Sequence, residues 1–144
     1  MASGDILIYN SGMMVLQQKK VDLANDDLRV ILVWGYTPDR DNHSLYAHVS
    51  SYEFGTGGGY VAGGELLTSQ TLTQDDPNDR TIFGADPTTW DPLDLATVPS
   101  HAIVYSDTAS NDELLFCIEC GKKTTGAAFT LYWDGIGIMT MEQI

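Results

Sequence analysis

GTGGGYVAGGE, residues 55 to 65, sets six glycines around one threonine, one tyrosine, one valine and one alanine. Runs of this kind cradle phosphates, make tight turns or let two backbones approach closely. A P-loop requires Gly-x4-Gly-Lys-Ser/Thr, and the chain has no lysine between Lys20 and Lys122. A dinucleotide-binding turn requires GxGxxG between a strand and a helix. Gly55 and Gly57 match that pattern, but Tyr60 takes the third glycine position, and the run leads into the threonine-rich ELLTSQTLTQ (65–74). The stretch therefore reads as backbone plasticity before a strand, through positive φ values or close approach. No phosphate site is expected, and the flanking strands are left to define the fold.

Those strands are short and bounded by Gly, Pro, Asp and Asn. LRVILVWG (28–35) is almost continuously apolar, as a strand covered on both faces should be. ELLTSQTLTQ suits a partly exposed strand. RTIFGA (80–85), HAIVYSD (101–107), ELLFCIEC (113–120) and AAFTLYWD (127–134) follow. In the last, Phe129, Leu131 and Trp133 share one face, Thr130 and Tyr132 the other. WDGIGIM then places Asp134-Gly135 between two β-type runs, the pairing favoured in a type I′ hairpin. Helix is scarce. Ile6, Tyr9, Met13 and Leu16 fall at helical spacing, although Gly12 weakens a helix by ~1 kcal/mol relative to alanine; a strand over 6–9 followed by a short helix is the alternative. HSLYAHV (43–49) fits one or two helical turns. Residues 75–99, with three Asp-Pro pairs, read as turn-rich chain around a short strand. The expected fold is all-β, a β-sandwich or barrel-like arrangement of about 7–8 short strands with one short N-terminal helix. It forms a single acidic domain over residues 1–144.

Twenty acids against seven bases give a net charge of −13. Such a domain repels phosphate backbones and anionic membranes, so neither nucleic acid nor membrane is an expected partner. The charge serves solubility, or steering towards a basic surface on another protein. No apolar run approaches a membrane span, and MASGDILIYNSG lacks the features of a signal peptide, so synthesis in a cytoplasm is the default expectation.

Chemistry-bearing residues do not assemble into a motif. Cys117 and Cys120 supply half a tetrahedral zinc site and no second half exists; on a strand their side chains diverge, which suits packed thiols. TPDRDNHS (37–44) alternates Asp39, Asp41 and His43 but departs from a calcium loop at His43 and Leu45, and DLANDD (22–27) and DDPND (75–79) read as solvated turns. His43, His48 and His101 are the only histidines, and no GxSxG surrounds a serine. A Cys117–His101 dyad is conceivable only if neighbouring strands bring the two together. No catalytic residue, cofactor or metal ligand is expected. Among the aromatic residues Trp34, Tyr36, Tyr52 and Trp90, Trp90 in TTWDP either plugs the core beneath a long loop or sits at an interface, the core plug being favoured.

Taken in order, YN and VDL near the start, LRVILVWGYTPDRDNH, EFGTGGGYVAGGELL, R-x-x-F-x-A-D-x-x-x-W, HAIVYSDT and FTLYWDGIGIMTM resemble a family of small virion structural proteins of tailed bacteriophages, with YTPDRDNH and GGYVAGGELL the most specific pieces. The resemblance spans almost the whole chain. It implies a protein without enzyme activity, carried in the virion on the capsid surface. Its role would be that of a decoration or cement protein that binds the major capsid protein and bridges capsomers. The protein would form a homo-oligomer, a dimer or trimer on a local symmetry axis. The alternative is a tail-fibre or baseplate-associated adhesion module that binds a host surface glycan. Candidate interface residues are Met13 and Met14 in the N-terminal stretch, with Tyr36 and Trp90 as exposed aromatics.

Overall fold

A computed structural model describes residues 6–108, 112–133 and 138–142. The protein is mostly β, with ten strands in three antiparallel sheets and two short α-helices among these residues. The central sheet has the order β1 (Ile6–Ile8), β8 (Leu114–Glu119), β7 (His101–Ser106), β2 (Leu28–Val33), β3 (Glu65–Leu66). Among the described residues its two edges, β1 and β3, do not pair with each other, so the sheet is open and not closed into a barrel.

The near-continuous apolar reading of β2 has a simple cause. Leu28, Val30 and Leu32 face one core cluster and Ile31 and Val33 the other. The first cluster lies under Val15 of helix α1 (Asn10–Gln17), Val21 and Leu23, and is closed by Phe83, Trp90, Phe129 and Leu131 from the smaller sheets. The second is covered by Tyr9, Tyr36 and Val49 from the segment before β2 and the long β2–β3 connection, where helix α2 spans Tyr46–Val49. Strands covered on both faces lose the polar–apolar alternation of a half-exposed sheet.

The smaller sheets are β10–β5–β4, from Met139–Glu142, Arg80–Gly84 and Thr71–Asp75, and the pair β6 (Thr88–Trp90) with β9 (Phe129–Leu131). Several expectations change here. The 65–74 run divides into β3 and β4 around Ser69, which has φ +55°. β6 lies within the stretch read as irregular. The Asp134-Gly135 turn falls outside the described residues, but its flanking strands do not pair with each other: β9 joins β6 and β10 joins β5.

At the N-terminus the strand-then-helix alternative is the one formed. β1 pairs with β8, and the Tyr9 N–H then donates to the Leu115 carbonyl at 3.1 Å, where β8 bulges. Helix α1 rests on that bulge through Gly12, where a Cβ would come within 2.7 Å of the Leu115 oxygen. The glycine that weakens the helix in isolation is its contact point.

The Gly-rich stretch is a close approach. A Cβ on Gly59 (φ +93°) would stand 1.9 Å from the Pro92 carbonyl oxygen, and one on Gly64 (φ +83°) 2.1 Å from that of Val30. The loop wedges between β2 and the 92–94 segment, where the Asp94 N–H donates to the Gly58 carbonyl at 2.8 Å.

Candidate functional site

The chemistry-bearing side chains gather on the second core cluster. Tyr9 and Tyr36 share a hydroxyl–hydroxyl bond of 2.8 Å, and the Tyr36 hydroxyl lies 2.8 Å from His43 Nδ1. Tyr9 is also hydrogen-bonded to the Cys117 thiol, and its hydroxyl is driven far above the usual tyrosine range, first by burial. Burial likewise pushes Tyr36 up to about 12 and Cys117 up to about 12. A fully buried thiol held protonated is a packing group, not a nucleophile. His101 pairs in register with Glu119, while Cys117 pairs with Ile103. The imidazole accordingly stacks edge-on against Tyr36 and sits 3.0 Å from Ser100 Oγ through Nδ1; burial holds it below the usual histidine range. Cys117 and Cys120 diverge as the strand reading expects: Cys117 enters the second cluster and Cys120 packs against the first. Burial raises Cys120 to about 12 as well.

Above this cluster opens a shallow cleft of about 480 Å³ lined by Tyr36, Thr37, Pro38, Arg40, His101 and Glu119, among others. The turn at its rim is held by Asp39, whose carboxylate accepts the Asp41 and Asn42 N–H groups at 3.1 Å and the Asn42 amide at 2.9 Å. These bonds, led by the Asn42 side chain, lower the Asp39 pKa. They use the carboxylate locally, as an Asx turn does. No group of three or more His, Cys, Asp or Glu side chains among the described residues could hold a metal ion.

A second network fastens the Gly-rich loop. Glu53 accepts from the hydroxyls of Tyr46 and Tyr60 and from the Gly63 N–H at 2.8 Å. Tyr60 also accepts the Leu32 N–H at 3.1 Å, and the Tyr105 hydroxyl donates to the Gly63 carbonyl at 2.8 Å. Burial and the bond to Glu53 raise the Tyr60 pKa. Every one of these groups is spent on holding the loop, which explains the tyrosine within the glycines.

The apolar surface is elsewhere. Met13 and Met14 are 45% and 57% exposed on α1. Across from the helix, β4, β5 and β10 project as a sheet whose Phe83 end enters the core while its outer part remains uncovered. Leu72 pairs with Phe83 and Phe83 with Met139, so the three share one face, and Met141 continues it two residues on. Leu72 is 55% and Met141 67% exposed. A groove of about 430 Å³ separates this face from the end of α1, lined by Leu16, Lys19, Val21, Asp22, Leu23 and Leu72.

The four expected interface residues thus divide. Met13 and Met14 are on the surface. Tyr36 and Trp90 are not: they are 4% and 1% exposed, and their expected exposure is corrected. Trp90 is the core plug, packed against Tyr60 and Phe129; Tyr36 closes the second cluster. Sequence reading missed Leu72 and Met141. The alternation of TLTQ marks Leu72 as facing away from its threonines, but which face the core covers depends on β4 pairing with β5.

Comparison with models of known protein families, with curated proteins and with solved structures finds no match.

Proposed function

We propose that the protein is a structural component of a tailed-bacteriophage virion, a decoration or cement protein that binds the outside of the head and bridges capsomers of the major capsid protein. The order of motifs along the chain supports the family. The structural observation that supports a docking role is exposed apolar side chains on two elements, Met13 and Met14 on α1 and Leu72 and Met141 on the projecting sheet, together with the groove where Leu16, Val21 and Leu23 meet Leu72. Single exposed apolar residues are ordinary, whereas an apolar groove with an exposed leucine in its wall is a feature of interaction sites. The mechanism is mechanical. Packaged DNA pushes the shell outward, and a protein bound across two capsomers lowers the energy of the closed shell by its binding free energy. Repeated over symmetry-related copies, a modest contact becomes a large total. A homo-oligomer on a local symmetry axis would present the contact to each capsomer alike.

Quantitative mass spectrometry of purified particles tests this. A fixed simple ratio to the major capsid protein is expected. A few copies per particle would replace the head assignment with a tail-fibre or baseplate module that binds a surface glycan, and absence from particles would overturn the virion role.

A further inference from the structure

We propose that the outer edge of β4 (Thr71–Asp75) takes up an extended, basic segment of a partner protein as an additional strand. This rests on the projecting sheet being a docking surface, and it adds the class of partner.

Three observations carry it. The first is the edge itself. β4 is the terminal strand of its sheet, no described strand pairs with its outer side, and four of its five residues are exposed. An edge strand leaves alternate N–H and C=O groups free to pair with another chain, and proteins commonly blunt such edges with lysine, proline or very short strands. The edges of the central sheet follow that rule, since β1 has three residues and β3 two. TLTQD carries neither lysine nor proline.

The second is the apolar groove beside the edge, where Leu16, Val21 and Leu23 face Leu72. An added strand gains affinity from main-chain bonds and specificity from pockets for alternate side chains. The groove is such a pocket.

The third is charge. Gln70, just before β4, holds the acidic turn through bonds from its amide to the Leu23 carbonyl at 3.2 Å and the Asp26 carbonyl at 2.8 Å. Asp22, Asp26 and Asp27 thus lie at one end of the edge, and Asp75, Asp76 and Asp79 at the other. Against these six carboxylates stand Lys19, Lys20 and Arg80, and Arg80 is already paired with Asp75 at 2.7 Å. Carboxylates at both ends fit a segment with basic residues flanking an apolar centre. They oppose a second copy: antiparallel β4–β4 pairing would set the Asp75–Asp79 end of each chain against the Asp22–Asp27 end of the other. Lys19 and Lys20 offset only part of that repulsion in a chain of net charge −13.

The test is an amide chemical-shift titration of the full, isotope-labelled chain with two synthetic peptides. One alternates valine and threonine between lysine pairs, and the other carries glutamate in place of each lysine. The basic peptide is expected to shift the amides of residues 71–75 saturably and to bind roughly tenfold more tightly than the acidic one, with the difference shrinking as salt is raised. Leu72→Lys should weaken the basic peptide by roughly tenfold. The double variant Asp76→Asn with Asp79→Asn should flatten the salt dependence while the spectrum stays folded. Equal affinity for both peptides, shifts mapping away from 71–75, no saturable binding, or concentration-dependent shifts at 71–75 without peptide would each overturn the proposal. Absence from virions would leave these outcomes untouched, and failure of the peptide would leave the copy number untouched.

Discussion

At Gly59 the chain has no room for a single methyl group, because the position a Cβ would take lies 1.9 Å from the Pro92 carbonyl oxygen and the backbone is in the left-handed region. Gly55, four residues earlier in the same loop, has open space around it and an ordinary φ. Both belong to one low-complexity run, and local sequence does not separate them. Gly59→Ala is expected to destabilise the protein by about 3 kcal/mol or more, from combined backbone strain and overpacking. Gly55→Ala should change stability by less than about 0.5 kcal/mol. Urea unfolding of the two variants checks this, and equal midpoints would mean that the loop does not hold the contact with residues 92–94. Tyr36 and Trp90 make the same point for aromatic residues. Both occur in turn-rich segments that look like surface, yet they fill the core because the segments fold back over the sheet.

Among the elements, α1 shows how packing overrides propensity. Its eight residues include a glycine and no acidic residue in the first turn or basic one in the last, so little favours it in isolation. It forms because Tyr9 and Ser11 bond to carbonyls on the bulged β8, the latter through Ser11 Oγ to the Leu114 carbonyl at 3.0 Å, while Gly12 lets the two backbones meet. Gly12→Ala, stabilising in a free helix, should here cost about 1–3 kcal/mol, since the helix must lift from β8. Thermal unfolding gives the sign directly, and a raised Tm would show that the contact is not close. The projecting sheet is the opposite case. Among its described residues Phe83 is fully buried, with the Ile138 N–H donating to the Phe83 carbonyl at 2.6 Å and Met139 packed against the same core, while much of the rest of the sheet is exposed.

For the whole molecule, the buried hydroxyl network predicts how the fold fails in alkali. The pKa values of Tyr9, Tyr60 and Tyr36 are all raised, chiefly by burial, with Tyr36 moved from 10.0 to about 12. The folded protein therefore holds these protons more tightly than the unfolded chain does. The stabilising contribution of Tyr36 is complete below pH 10 and is lost as the pH rises towards 12, and those of Tyr9 and Tyr60 begin to fall over the same range. Near-ultraviolet circular dichroism and tyrosinate absorbance are expected to change together in that window. Ionisation of every tyrosine with the tertiary signal intact would show that these hydroxyls are not buried as described. The surrounding charge of −13 adds repulsion in the same direction as further anions form.

The strand-rich class, the acidity and the two-sided burial of LRVILV (28–33) were legible in the residues, because they follow from composition and from period-two patterning within a few neighbours, whereas Trp34, expected to end that strand, is 46% exposed. So was the divergence of Cys117 and Cys120, which needs only that the chain stay extended from 117 to 120. The pairing of β9 with β6 instead of β10, the insertion of Trp90 and Tyr36 into the core, and the meeting of Leu16, Val21 and Leu23 with Leu72 at one groove were decided by tertiary structure. Each depends on contacts between segments far apart in the chain. Thr88–Trp90 meets Phe129–Leu131 across roughly forty residues, and α1 faces β4 across more than fifty. Local patterning carries no record of which distant surface a side chain will meet. The same alternation that identifies TLTQ as a strand leaves open whether Leu72 is core or surface until β5 and β10 take their places beside it.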